Sequence, residues 1–581
     1  MKIFSKIMLL AVFSILCFPL AAQICVDPGD QFYVYAEKWE TEGLVEHLPQ
    51  IRPYPAAVVK KILQTVIEKG DGQESATAAA YYKKLTGNAF NLSVEGGATY
   101  KGSIVNHKLS DDKQISGETA VSGDILFNKL LSMSYDLGVY GNNASTTDSD
   151  VTPQYQNNTR DTIEDSTSVG PLDFNIDMNS NVAFGTDKVY VAAGLNRSGF
   201  GPFLNSGIAI NDTSFHSANM VFSYQGKKWS YTEMLASVGA SLNNGTSTGQ
   251  EYTGEKYFMF HAIKLNLLPK FDLTYYESCI YGKKFDASYV VPAPFMAIQG
   301  INGASDNVQM GLIGEYQFSK SAKFVTDVMV DDIAMDDIVK LNFDTKIRIA
   351  GQTGIVYAPK SSIWNLLLMN YTVVTPYTYS HWEYDDEYNK TFTSETYNYS
   401  SYTNHGICIG SSLYPNSDAL SFSANFTPAR NFSLTLTSLF ARHGNEYESL
   451  TDDERTAIFD YNRDNGTVYS TDGSTSTQQM FTGGSHIDTA WDSLNFLTQD
   501  HIMYTCQMGF TGEYTFAHLR FGSVSLKAGY TFEYIHNKGV DEPLFTGSSE
   551  YSDAEDEYET WVSNLHDEFN NYISVSLKLV Y

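Results

Sequence analysis

The last ten residues constrain this chain most. From Tyr572 to Tyr581 the large apolar side chains Ile573, Val575, Leu577, Leu579 and Tyr581 fall on one parity, and Ser574, Ser576 and Lys578 fall on the other. A period of two marks a strand with two unlike faces. About 9–11 tilted residues of this kind cross a bilayer, provided that the sheet closes and leaves no backbone group unpaired in hydrocarbon. The expected fold is therefore an antiparallel all-β transmembrane barrel.

The start of the chain agrees. Lys2 and Lys6 precede an apolar run from Ile7 to Phe18, followed by Pro19-Leu20-Ala21-Ala22-Gln23. A charged region, a short apolar region and small residues at a cleavage zone make residues 1–22 a signal peptide by pattern, removed on export. The run is shorter than the roughly 20 residues of a membrane helix. Lipoprotein processing is disfavoured, because Cys25 follows Ile24 rather than a small residue, and Cys17 is followed by further apolar residues.

Beyond the signal, no stretch reads as a membrane helix; the longest apolar runs resemble Ile363–Met369. The chain nevertheless carries 40 Tyr and 34 Phe. Aromatics without long apolar runs fit a barrel, whose hydrophobicity is dispersed over alternate positions and whose rims carry aromatic girdles. The formal charge is −29; without Lys2 and Lys6, 36 basic residues stand against 67 acidic ones, giving −31. Such a surface repels nucleic acid. Cys25, Cys279, Cys408 and Cys506 are widely spaced, which excludes a zinc motif and leaves room for one disulfide in an exported protein.

Residues 23–89 read as a periplasmic helical segment. Phe32, Tyr35, Ala36 and Trp39 recur at helical spacing up to Gly43. Pro55 suits a first helical position, and Val59, Ile62, Leu63, Val66 and Ile67 form one face capped by Gly70. Ser75 is the expected cap of a third helix ending at Leu85. These helices are expected to pack together or against a barrel mouth.

From Phe90 to the C-terminus the period becomes two, and residues 90–581 read as the barrel. Leu172, Phe174, Ile176 and Met178 share a parity, as do Phe432, Leu434 and Leu436, and the series Val524 to Tyr534. Lys527, between them, must face the lumen, since a lysine on the lipid face costs about 2–4 kcal/mol near the midplane. Short connections are expected near Asn128–Leu130, Gly185–Asp187, Gln225–Lys228, Leu268–Lys270, Ser319–Lys323, Ala358–Ser362, Pro428–Asn431 and Thr515–His518. Long ones cover 141–170, 282–308, 441–500 and 535–570. Short turns on one side and long loops on the other are the barrel pattern. Nineteen runs qualify as strands; taking 375–418 as one outer excursion leaves about 18 and keeps every turn on its own side. The long loops are acidic and aromatic. Residues 541–568 hold ten Asp or Glu and no Lys or Arg, and His381–Tyr402 interleaves Trp382 and several Tyr with carboxylates. Aromatic faces and carboxylates together suit a carbohydrate or a cation.

A chain that ends on an aromatic after such a strand resembles bacterial outer-membrane barrels, whose closing strand is read by the barrel insertion machinery. The middle of the chain resembles the capsule-assembly Wzi family. The matching pieces, in order, are Gly194-Leu195-Asn196-Arg197 with Gly201-Pro202; His261-Ala262-Ile263-Lys264-Leu265; Tyr275-Tyr276-Glu277 with Tyr281-Gly282; Tyr289 with Pro292; Asp306-Asn307; Asp331-Asp332; Tyr402-Thr403-Asn404; and Asn416-Ser417-Asp418. The resemblance spans about residues 30 to 445. It departs at Ile263-Lys264, where a His-Arg pair is expected, and in the expanded loops 441–500 and 535–570. It implies an 18-stranded outer-membrane barrel with a periplasmic helical segment, acting as a surface lectin that helps organise polysaccharide.

Parity ranks the ligand-binding candidates Arg197, Glu277, Tyr281, Asp306, Asn307, Asp327, Asp331, Trp382 and Asn404. Asp327 points inward between Phe324 and Val328, and Asp331 follows on the same parity. Arg197 is placed to pair with a luminal carboxylate. Glu277 shares its parity with Phe271, Leu273 and Tyr275, so it requires a bulge or a position beyond the bilayer. A structural luminal salt-bridge network is the competing reading of these charges. No Gly-x-Ser-x-Gly elbow, phosphate loop or metal-ligand spacing stands out, so neither an enzyme nor a cofactor is expected. Two functions remain: a barrel whose partners are outer-membrane lipid and surface polysaccharide, or a porin-like channel for small solutes, since 16–18 strands leave an aqueous lumen unless plugged.

Overall fold

The computed structural model describes residues 27–581, apart from 88, 144, 147–148, 157–166, 243–251, 303–305, 334–335, 337–338, 343–346, 362, 382–396, 430, 466–493 and 520–521. Residues 1–22, expected to be a signal peptide, and Trp382 therefore lie outside the described residues. Eighteen long antiparallel strands close into one barrel. In chain order they are β1 (Asn91–Val105), β2 (Lys108–Leu126), β3 (Leu131–Asn143), β4 (Leu172–Gly185), β5 (Val189–Asn196), β6 (Ser217–Gln225), β7 (Trp229–Leu242), β8 (Tyr252–Leu268), β9 (Phe271–Gly282), β10 (Asn307–Ser319), β11 (Ala322–Ile333), β12 (Ile347–Tyr357), β13 (Trp364–Val374), β14 (Ser417–Ala429), β15 (Phe432–Gly444), β16 (Ile502–Leu519), β17 (Gly522–Lys538) and β18 (His566–Val580). Among the described residues no helix is long and apolar enough to cross a membrane.

The first and last strands close the ring, pairing continuously from Ser93↔Val580 to Val105↔Glu568. The C-terminal residue is locked in as well, since Tyr581 N donates to Leu92 O and Leu92 N to Tyr581 O. Closure satisfies the edge groups that hydrocarbon cannot. The parity follows the sequence pattern: Ile573, Val575 and Leu577 are exposed on the outside, as are Ile176, Leu436 and Leu526. Lys527 stands between Glu513 and Ser576 on the opposite face, toward the lumen.

The excursion 375–418 is confirmed as one loop, because β13 pairs directly with β14 from Val374↔Ser417 onward. Its inner pieces Thr403–Asn404 and Ile407–Cys408 form a separate two-stranded sheet. One connection is displaced from expectation. Residues 515–518 are not a turn; β16 runs through them to Leu519, which pairs with Gly522 of β17. The ladder continues there because Phe516 still falls on the outward parity opposite Val524. The two-residue hairpin at Asn106-His107 places both residues at positive φ, 48° and 62°, which suits the right-handed twist of β1 and β2.

The N-terminal segment forms α1 (Gln31–Thr41), α2 (Ala56–Lys69) and α3 (Gly72–Gly87). Two helix-end expectations need correction. Pro55 is the residue before α2 rather than its first turn, and Gly70 ends α2 at φ −71°, ψ 159°, without a left-handed cap. Helix α3 starts at Gly72, ahead of Ser75, because the Asp71 carboxylate accepts from the backbone N–H groups of Gln73 and Glu74. The Ser75 hydroxyl instead donates to Ile67 O of α2. The Lys38 ammonium and the Trp39 indole N–H both donate to Glu74, each at 2.6 Å, and join α1 to α3.

Glu42, just past the end of α1, makes this segment sensitive to pH. Burial, with the Glu74 and Asp71 carboxylates adding to it against Lys38, pushes its carboxyl up to about 7. A carboxyl raised above its unfolded value folds more favourably when protonated, so stability is lost as pH rises through about 7. The segment is expected to melt at lower temperature at pH 8 than at pH 6, and Glu42→Gln to flatten that dependence. Thermal melts of the two proteins in detergent read it directly.

Candidate functional site

Chain enters the lumen from both ends. From the end that carries the short turns, α1 lies against the inner wall. Gln31 and Asn425 exchange amide hydrogen bonds at 2.8 and 3.0 Å. Tyr35 shares a hydroxyl bond with Thr427 at 3.0 Å. Buried Lys323 of β11 contacts Glu37 at 2.6 Å, Glu315 at 2.9 Å and Glu40 at 3.2 Å. The side chains of β10 and β11 that hold α1 are charged because a luminal position has polar partners available and a lipid-facing one does not.

From the outer side, the connection 197–216 folds inward. Its Phe200 packs edge-on against Phe260 and Tyr276 of the wall, with centroids 4.7 and 5.2 Å away. Ile51 and Arg52 pair with Phe200 and Gly199 as a two-stranded sheet. The Arg52 guanidinium, buried, reaches Asp212 at 2.7 and 3.0 Å and Gly201 O at 2.7 Å. Residues 375–381 and 397–416 pack on this layer. Tyr379 OH donates to Ile208 O, Tyr402 OH to Ala209 O and Asn211 N to Ile409 O, at 2.7, 2.9 and 2.8 Å. Burial raises both tyrosine hydroxyls, so they stay protonated and donate. Burial, then the charge of Lys256, lowers nearby His405. One cavity between the two loops, about 10 Å³ and lined by Ser198, Ser214, Phe215, Phe258 and Asn404, has room for about one water.

The sequence-derived candidates divide between the two faces of the wall. Inside, Asp331 accepts from Tyr379 N at 2.8 Å, and from Gln309 and His381 at 3.1 Å each. Asn307 donates to Ser400 O at 2.8 Å. Asn404 accepts from Gly239 N at 2.9 Å and donates to His216 O at 2.8 Å. Asp327 accepts from Tyr276 OH at 2.8 Å. Asp331, Asn307 and Asn404 thus tie the loops to the wall, while Asp327 joins two wall strands. Arg197 pairs with Asp27, 3.3 Å away, so its partner belongs to the N-terminal segment rather than to a strand.

Glu277, Tyr281 and Asp306 act on the other face. Strand β9 pairs with both neighbours without a bulge at Glu277, and Glu277 stands midway along it, not beyond the bilayer. Its carboxylate points outward and is still only 1% exposed, because residues 283–302 fold back over it. Its partners are His261 and Phe295 N, at 3.1 and 2.6 Å, and Tyr275 OH. Tyr281 stacks near Tyr289, whose hydroxyl donates to Asp306 at 2.6 Å.

A cap of two helices, α5 (Asp452–Asn465) and α6 (Ala554–Asn564), was not foreseen in the acidic outer loops. Tyr447, Phe459, Phe545 and Trp561 form its buried centre. Tyr558 OH and His501 both bond Glu448, at 2.9 and 2.5 Å, and the Arg455 guanidinium lies 4.8 Å over the Tyr558 ring. The local signals were present. Thr451 and Glu454 form a reciprocal capping box, and Asp553 accepts from Asp556 N ahead of an acidic first turn.

No protein-family model and no curated protein matches the chain. Solved structures do. The Escherichia coli outer-membrane protein Wzi, described as involved in group 1 capsule assembly and as a carbohydrate-binding β-barrel, superposes with a TM-score of 0.52. The alignment covers 96% of this chain and 99% of Wzi at 9% identity. Acinetobacter baumannii OccAB2 aligns over 84% of this chain and 98% of its own, at 8% identity and a TM-score of 0.38. Pseudomonas aeruginosa OccK5 aligns over 85% and 98%, at 7% identity and a TM-score of 0.37. The chain has the fold of an outer-membrane β-barrel, and that fold is similar to Wzi.

Proposed function

We propose that the protein is a plugged outer-membrane barrel, not an enzyme, that binds or organises surface polysaccharide. The observation that carries this reading is the chain packed inside the ring from both ends. A solute channel has to keep a continuous aqueous path, whereas here α1, the 197–216 segment and residues 375–381 and 397–416 pack into one buried cluster inside the ring. The likeness to a carbohydrate-binding barrel supports the same reading.

The outer cap is where glycan would meet the protein. It presents half-buried Tyr551 and Tyr558 beside exposed Asp453, Glu555 and Glu559. Rings stack on sugar faces, and carboxylates accept hydroxyl hydrogen bonds. Its acidic character favours a neutral or cationic glycan over a polyanion. The test is a glycan array with purified protein in detergent. Binding to neutral or amino-sugar polymers, weakened in a Tyr551→Ala/Tyr558→Ala protein that still migrates as a folded barrel, is expected. Absence of binding to any polysaccharide would sink the proposal.

A further inference from the structure

Residues 283–302 leave the outer end of β9 and return down the outside of the wall. The return is fixed at its tip. Phe295 N donates to Glu277, and the Phe295 ring lies 4.1 Å from that of His261. Glu277 is midway along β9 and faces His261, near the middle of β8. At ~3.3 Å per residue and a tilt of ~40°, the tip lies roughly 15 Å above Phe271. The apolar band of such a barrel is about 25 Å tall. The tip is therefore at hydrocarbon depth.

The inner side of this return is a small core of its own. Tyr289, Phe295 and Ile298 bury Met259, Cys279 and Tyr281 of the wall. Its outer side is apolar and uncovered. Val290 is 39% exposed, Val291 53%, Met296 54% and Ile301 84%. On the wall, Ile263, Leu312 and Val328 are exposed in the cross-strand row through Tyr275, two residues along β9 from Glu277.

We propose that residues 285–302, including the helix α4 (Phe295–Asn302), form a wedge immersed in the outer leaflet. Its partner is the acyl chains of outer-leaflet lipid. The wedge solves a problem set by the wall itself. Glu233 of β7, His261 and Glu277 form one cross-strand row on the outward face. Charged groups there are expensive in contact with lipid. Phe295 covers the His261–Glu277 end, and Tyr231 OH bonds Glu233 at 3.0 Å. The His261–Glu277 end of the outward row thus becomes interior, while Glu233 stays half-buried beside Tyr231.

The proposal is independent of glycan binding and is tested on the unmodified protein in nanodiscs. One arm uses a phospholipid carrying a diazirine in mid-chain; the other uses hydroxyl radicals in the water. Carbene adducts are expected on the peptide holding Met296 and Ile301, at a level matching the peptide that holds lipid-facing Met508. Met296 is expected to oxidise about tenfold more slowly than in the denatured chain, because hydrocarbon excludes the radical source. Oxidation of Met296 at the denatured rate would place the wedge in water and overturn the proposal. Protection without lipid adducts would place it under another protein chain, and would overturn it equally.

Discussion

Replacing Lys323 by methionine is expected to release α1 from the barrel interior. Lys323 is the cation among Glu37, Glu40 and Glu315, all within 3.2 Å and all nearly buried. Lys264 also bonds Glu315, at 2.7 Å, but reaches neither glutamate of α1 in this way. Removing one partner of a buried ionic cluster strands the rest in a poor solvent and costs about 3–5 kcal/mol. That is comparable to the roughly 4 kcal/mol that the remaining α1–wall hydrogen bonds of Gln31, Tyr35 and Thr41 supply, at about 1 kcal/mol each. Hydrogen exchange should show the amides of residues 31–41 losing protection while those of β16–β18 keep theirs. Adding Glu37→Gln and Glu40→Gln should restore part of the protection, because the stranded charges are then gone. Unchanged exchange in α1 would mean that the ionic cluster does not hold the plug.

The second large effect is expected at Arg52. It is the buried ionic joint between the N-terminal segment and the 197–216 loop, beside the more exposed Arg197–Asp27 pair, through two bonds to Asp212 and one to Gly201 O. Both charged side chains are almost fully buried. Arg52→Met leaves Asp212 without its cation, at a cost again of about 3–5 kcal/mol. The Ile51–Arg52 pairing with Gly199–Phe200 is too short to survive alone. Asp212→Leu in the same protein should recover much of the loss, since a buried ion pair replaced by apolar groups is often near neutral. A double-mutant cycle on thermal unfolding measures this coupling. Additive losses would show that the pair is not a joint.

Much of the barrel is legible in the sequence, because lipid reads every second residue. Ile573, Val575 and Leu577 announce their face, and the turns near 128–130 and 268–270 follow from where the alternation breaks. Loop 375–418 was recoverable from the requirement that turns keep to their sides. The candidate site was legible only as a set of residue types. Asp331, Asn307 and Asn404 are indeed inside, yet nothing local says that their partners are Tyr379, Ser400 and His216, which arrive from loops distant in sequence. Glu277 shows the limit most clearly. Its parity correctly places it outward, but a bulge or a water-exposed position was the only local remedy for a carboxylate there. The actual remedy, a loop returning outside the wall, is a tertiary fact. Helices α5 and α6 were missed for a different reason. Their acidic turns read as solvated loop, although Thr451 and Glu454 formed a recognisable cap.

The central claim is a closed barrel whose lumen is occupied by its own chain. Single-channel recording of the purified protein in a planar bilayer tests it most directly. The intact protein is expected to give no steady conductance. Steady ohmic steps of porin size from the intact protein would contradict the account.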